Sequence, residues 1–241
     1  MVEAIIPNLL LDGLPLDMLK ELRGDMRFVE LPRQQVLERV GRPAPHAYFL
    51  VDGVASLIAR ERNGLNIEAA LVGIEGMLGL SHVFGTGISL SDTVMQSHGS
   101  GWRIGAEEFR RAMEKPVFRK RMLLFADTVM AQSFATTMAA SRGKLMVRLA
   151  RWLLLFHDRT RGDELELTHD TMALMLGVRR AGVTVTIHEI EGQGLIRAHR
   201  GRVLIRDRAG LRLLAGEFYG QAEERYEQLI GPFRQGDRAA D

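Results

Sequence analysis

The sequence predicts an α+β chain in three parts: a β-roll domain over 1–115, a long helix ending in a hinge over 116–142, and a helix-rich domain with a two-stranded ribbon and a helical tail over 143–241. Three observations predict this order. Short β-rich runs broken by glycine and proline fill the first hundred residues, an unbroken helical seam follows, and a helix–glycine–helix pattern then precedes two short strands. A chain of 241 residues suffices for two cores, and its 26% charged and 46% hydrophobic residues are the balance of a soluble globular protein.

The first part opens with a short helical pattern at Leu14, Leu19 and Leu22. Residues 27–31 then alternate as a half-buried strand does. Runs at 48–51 and 54–59 flank Asp52-Gly53, and a run at 67–72 follows Asn63-Gly64. Both dipeptides tolerate positive φ, so each predicts a hairpin. Repeated short strands with tight turns suggest a compact barrel or roll.

In the second part Phe118, Met122, Phe125, Val129, Gln132, Thr136 and Ala139 recur at alternating steps of four and three. That is an a/d seam, and a seam of this length is expected to face its twin in a homodimer. Packing on its own domain is the competing reading. Ser141-Arg142-Gly143 is the expected hinge. A second helix follows with Leu145, Leu149, Trp152, Leu153 and Phe156 on one face, leading into a polar loop at 157–164.

The third part is the most informative. Thr168 is a good N-cap, with His169 and Asp170 in the first turn behind it. Met172, Ala173 and Leu176 form a short apolar face, Gly177 stops the helix, and a second helix starting near Arg179 buries Val183 and Ile187. A small residue at the crossing, a glycine at the turn and a β-branched anchor beyond it are what two tightly crossed helices require. Strands at 196–198 and 202–206 then turn at Arg200-Gly201 to make a wing. Net charge is only +2, but residues 177–208 hold seven arginines against three acids, which suits an anionic partner.

In a winged helix-turn-helix the first turn of the second helix enters the major groove. It would present Arg179, Arg180, Gly182 and Thr184, with Thr168 and His169 beside it. Arginine pairs in bidentate fashion with guanine, and threonine bonds a base edge or meets the thymine methyl. Arg197, His199, Arg200 and Arg202 on the wing suit phosphates.

With those residues in view, the chain resembles the Crp/Fnr family, the relatives of the cyclic-AMP receptor protein and the fumarate–nitrate regulator, over nearly its whole length. Val72-Gly73-Ile74-Glu75-Gly76-Met77-Leu78-Gly79 looks like the mid-barrel signature of that family, and Arg148-Leu149-Ala150-Arg151-Trp152-Leu153-Leu154 like its linker helix. Leu176-Gly177-Val178-Arg179-Arg180-Ala181-Gly182-Val183-Thr184 is similar to the reading helix of one subgroup, with Gly182 where serine is expected. The resemblance implies a cyclic-nucleotide-binding-like jelly roll, a dimerising helix and a transcription regulator that binds double-stranded DNA at a two-fold-symmetric site. RNA polymerase enters as a candidate partner, and the small-molecule effector stays open.

Departures from the family are equally specific. Its cyclic-nucleotide binders use an acid for the ribose and an Arg-Ser or Arg-Thr pair for the phosphate. Here residues 76–102 contain no lysine or arginine, and Ser89 and Leu90 stand about where that pair belongs. A buried phosphate without a counter-charge is costly, so cyclic AMP is not the expected ligand. The absence of cysteine excludes disulfides, thiolate zinc and iron–sulfur sensing. Ala181 replaces an acid that many members use to read cytosine, so the operator does not carry over.

No cofactor, metal site or catalytic residue is expected. The seven histidines lie apart, with no His-x-His pair, and surface or loop placement accounts for His46, His82 and His98 more simply than metal or haem ligation. Gly85-Thr86-Gly87 lacks the lysine and helix of a phosphate loop. The apolar start carries Glu3 and no basic flank, and no run reaches about 18 apolar residues, so a cytoplasmic protein without a membrane partner is expected. The alternatives are a β-roll ligand- or partner-binding protein with secondary DNA binding, and a barrel enzyme.

Overall fold

The computed structural model describes residues 7–60 and 66–233. Helix α1 (Leu16–Asp25) leads into the roll strands β1 (Met26–Leu31), β2 (Val36–Glu38), β3 (His46–Asp52), β4 (Ala55–Arg60), β5 (Asn66–Val72) and β6 (Met77–Leu78). A one-turn helix α2 (Leu80–Val83) separates these from β7 (Asp92–Met95) and β8 (Gly99–Gly105). Two four-stranded antiparallel sheets result, ordered β1-β8-β3-β6 and β2-β7-β4-β5. Their facing side chains, among them Phe49, Leu50, Val72 and Met77, make the roll core. The expected β-roll is therefore present.

One turn does a different job from the one expected. Asp52-Gly53 does not close a hairpin, because β3 pairs with β6 and β8 while β4 pairs with β5 and β7. The chain instead crosses here from one sheet to the other. Gly53 has the positive φ of 84° that the dipeptide signalled, and a Cβ there would fall 2.7 Å from Gly99 Cα. The local signal was sound, but pairing is a property of the whole roll. The second turn, Asn63-Gly64, lies outside the described residues, and β4 and β5 on either side of it pair antiparallel.

Helix α3 (Ala106–Met113) precedes α4 (Pro116–Arg142), which starts with proline at its first turn. The helix runs through the expected hinge residues Ser141 and Arg142 and breaks at Gly143 and Lys144. The a/d seam of α4 is there, but it faces inward. Phe118, Met122, Phe125 and Val129 belong to the roll core, and Gln132 and Ala139 are buried too. Gln132 bonds the backbone of β5, accepting from Leu71 N at 2.6 Å and donating to Leu71 O at 3.2 Å. The half-buried Thr136 donates to Gln132 O at 2.9 Å. Phe118, Met122, Phe125, Val129, Gln132 and Thr136 are thus corrected as dimer-interface residues: a face already packed on its own sheet has no surface for a twin. Burying each aromatic there contributes about 1.5–3 kcal/mol.

A second stripe of α4 faces outward, with Leu123 47%, Met130 51%, Phe134 64% and Met138 50% exposed.

Beyond Gly143 come α5 (Leu145–His157), β9 (Glu164–Leu165), α6 (His169–Leu176), α7 (Arg180–Gly192), β10 (Ile196–His199), β11 (Arg202–Ile205) and α8 (Arg208–Ala215). The wing has three strands rather than two, ordered β10-β11-β9, because the end of the expected polar loop pairs with β11. The core of this domain takes in Val54, Ile58 and Leu71 of the roll, so the two parts share a wall. Polar bonds cross that wall: Trp152 Nε1 donates to Glu68 Oε1 at 2.7 Å, and Arg159 Nε to Glu75 Oε1 at 2.7 Å. Ser56 Oγ donates to Glu68 Oε2 at 2.5 Å. Burial pushes the Glu68 carboxyl up to about 7, against the pull of Ser56, Trp152 and the more distant Arg151 and Arg159.

The tail departs from expectation as well. Helix α9 (Gln221–Leu229) leaves the C-terminal domain and packs on α4, and its Tyr226, with Phe233 after it, enters the roll core. Among the described residues no helix is long and apolar enough to cross a membrane, and no group of three or more His, Asp or Glu is placed to hold a metal ion.

Candidate DNA-reading interface

The crossing of α6 and α7 is built as its residues require. Thr168 caps α6 by accepting from Thr171 N at 3.1 Å. Gly177 ends it at φ 63°, a left-handed value that a β-carbon would strain. Val178 N then returns to Ala173 O at 2.9 Å. Arg148 of α5 donates to Leu176 O, closing the carbonyl end of α6. Val183, Ile187 and Ile190 of α7 are fully buried in the domain core. Three anchors on one face hold α7 so that its opposite face and first turn stand in solvent.

That outward face carries the expected residues. Arg179 is the extended N-cap of α7 and is exposed, as is Arg180. Gly182 and Thr184 are half-buried beside them. His169 and Thr184 are brought together, His169 Nδ1 lying 2.9 Å from Thr184 Oγ1, and that hydroxyl also donates to Arg180 O at 3.2 Å. The Thr184 hydroxyl is therefore engaged within the protein. Burial, with Arg180 and His188 adding to it, holds the His169 ring below the usual imidazole range. On the wing Arg197, His199, Arg200 and Arg202 are all exposed.

Three carboxylate contacts, on two arginines, were not legible in the sequence. Asp170 lies 3.2 Å from Arg180 Nε. Glu164 and Glu166 lie 3.0 and 3.8 Å from the Arg202 guanidinium. The first needs the angle between α6 and α7, and the other two need the unexpected strand β9. All three pairs are exposed and exchange readily with an outside anion.

Residues 147–214 match the model of the Crp-like helix-turn-helix domain. Solved structures share the fold over about four fifths of the chain. A CRP/FNR-family transcriptional regulator from Thermus thermophilus superposes with TM-score 0.63 at 22% identity, over 78% of this chain and 98% of its own. FixK2 from Bradyrhizobium japonicum gives 0.67 at 13%, over 79% and 98%. The c-di-GMP-responsive global regulator CLP of Xanthomonas campestris gives 0.64 at 15%, over 79% and 99%. At these identities the likeness is one of fold, and no curated protein matches the sequence. Residues 147–214 form a Crp-like helix-turn-helix domain, within a chain that has the fold of Crp/Fnr-family regulators.

In this Crp/Fnr-like fold the roll and α4 enclose a cavity of about 250 Å³. Its walls are largely apolar, with Leu57, Leu80, Phe84 and Leu90 from the roll and Met130 and Phe134 from α4. Glu38 is its one charged lining residue among the described residues. Burial pushes that carboxyl up against the hydrogen bond from Thr93 Oγ1 at 2.7 Å. Ser81 Oγ, also in the wall, is buried with no hydrogen-bond partner among the described residues. Ser89 and Leu90 line the same space, and among the described residues no Lys or Arg does.

Proposed function

We propose that the chain acts as a homodimer that reads a two-fold-symmetric DNA site with the first turn of α7. The observation that carries this reading is the outward arginine face of α7, held by three buried anchors and flanked by a basic wing. Arg180 reads a base edge, most simply guanine, while Thr168, His169, Arg179, Gly182 and Thr184 fit the groove wall and the adjoining backbone. The wing residues Arg197, His199, Arg200 and Arg202 meet phosphate. Half-sites then lie about one helical turn apart.

The twin helix docks on the outward stripe of α4, Leu123, Met130, Phe134 and Met138, which continues along the helix beside the cavity mouth. A solvent-exposed apolar stripe on a long helix is the surface a second copy covers. The effector fitting the cavity is small, uncharged and mostly apolar, with one group to bond Ser81. A cyclic nucleotide would set its phosphate in a largely apolar cavity whose one charged lining residue, among the described residues, is the acid Glu38. The protein works in the cytoplasm, without enzymatic activity, and RNA polymerase is its downstream partner.

Titration of labelled random duplex DNA across a salt series tests the reading. Affinity should fall linearly with the logarithm of salt concentration, because each phosphate contact releases counterions. Binding that ignores salt, or none at low salt, removes the proposal and leaves a cavity-binding β-roll protein.

A further inference from the structure

The C-terminal segment returns to the sensor after the reading domain is complete. Tyr219 closes that domain by donating to Asp158 Oδ2 at 2.8 Å. One residue later the chain turns away through Gly220, at φ 113°. Helix α9 lies along α4, where Arg225 grips Asp127 with two bonds of 2.8 and 3.1 Å. Tyr226 donates to Glu75 O at 2.7 Å, and its ring meets Phe233 edge-on at 5.2 Å. Arg121 of α4 joins the segment before α1 to the segment after α9, donating to Leu9 O at 3.3 Å and to Ile230 O at 3.4 Å.

The reading domain is thus tethered twice. Gly143-Lys144 joins it to α4 at one end, and Tyr219-Gly220 joins it to a segment fixed on α4 at the other. A domain joined at one hinge can lift from the wall it shares with the roll, whereas a second connection to a segment fixed on α4 opposes that movement. Arg159 reinforces the second tether, since it bonds Glu75 of the roll and its guanidinium lies 5.0 Å from the Phe233 ring.

We propose that residues 220–233 form a strap that fixes the orientation of the reading domain on the sensor and so sets the half-site spacing the dimer accepts. The inference rests on the DNA-reading proposal above for its spacing clause, but not for its orientation clause. Spacing follows from geometry, because two rigidly held reading helices reach successive grooves at one separation only.

The test slackens the strap without removing it. Six Gly-Ser residues inserted between Tyr219 and Gly220 leave α9 free to cover the roll core while removing the second tether. Amide hydrogen exchange on the full chain should then rise roughly tenfold or more on β5 and α6, which face each other across the shared wall, with β3 and β8 unchanged. Unchanged exchange at the wall overturns the strap, and so does a uniform rise across the chain, which would mean general destabilisation. Selection from symmetric sites of varied centre length supplies the second arm. Wild type should enrich one spacing and the slack variant several, whereas the same single spacing from both overturns the spacing clause. If neither protein binds any DNA, the reading proposal and its spacing clause fail, and hydrogen exchange still decides whether the strap holds the domain.

Discussion

Two apolar stripes run along α4, and they have opposite fates. Phe118, Met122, Phe125, Val129 and Gln132 face the roll and are at most 6% exposed, whereas Leu123, Met130, Phe134 and Met138 stand about half exposed or more. The inward stripe has the more regular heptad spacing, and on spacing alone it is the better coiled-coil seam. It packs on a sheet instead, because β5 offers Leu71 and its backbone at the distance Gln132 needs. Periodicity reports that a helix has an apolar face; it does not report what covers that face.

The largest effect that would break this contrast is on the inward side. Phe125→Asp places a charge in the roll core and should cost more than about 4 kcal/mol, so little folded protein is expected by circular dichroism. A soluble variant melting within a few degrees of wild type would put the inward assignment in doubt. On the outward side the paired change Met130→Asp, Phe134→Asp should leave the melting curve of the monomer intact and abolish the dimer. Sedimentation would show one species at the monomer mass, and affinity for a symmetric site should fall roughly a hundredfold or more with the loss of bivalence. A dimer that persists at micromolar concentration would move the interface elsewhere.

The same division holds in the reading domain, at smaller scale. Arg180 points outward, and Arg180→Ala should remove roughly 1–3 kcal/mol of binding and relax preference at one position per half-site. Arg202→Ala should instead weaken cognate and random DNA alike and flatten the salt slope by about one unit for each phosphate that Arg202 neutralises. Site selection at one fixed salt concentration distinguishes them, and equally sharp motifs from wild type and Arg180→Ala would strip Arg180 of its reading role.

Glu68 sharpens the inward side. Burial raises its carboxyl from 4.5 to about 7, so the folded chain holds a proton that the unfolded chain releases between those values. The stability from this group is full below about pH 4.5 and is lost as pH rises through about 7. Glu68→Gln should flatten that decline in a melting series, and parallel curves for the two proteins would contradict it. The smallest effect belongs to Asp170, an exposed partner of Arg180. Asp170→Asn frees the arginine and removes repulsion toward phosphate, so DNA affinity at low salt should rise a few-fold. An unchanged or lower affinity would mean the pair holds Arg180 in its reading pose.

Residues 168–206 show how much was legible. The cap at Thr168, the turn at Gly177, the anchors Val183 and Ile187 and the exposed arginines are all consequences of local spacing and backbone preference, and each stands where the sequence placed it. So do the positive φ at Gly53 and the basic, cysteine-free composition. What the sequence could not determine are contacts between segments far apart in it. The sheet crossing at Gly53, the third wing strand, the Asp170–Arg180 pair and the return of α9 to the roll each depend on where distant surfaces meet. Local preferences act over a few residues and survive any tertiary arrangement, while the choice of partner for an apolar face is made only when every face competes for burial at once.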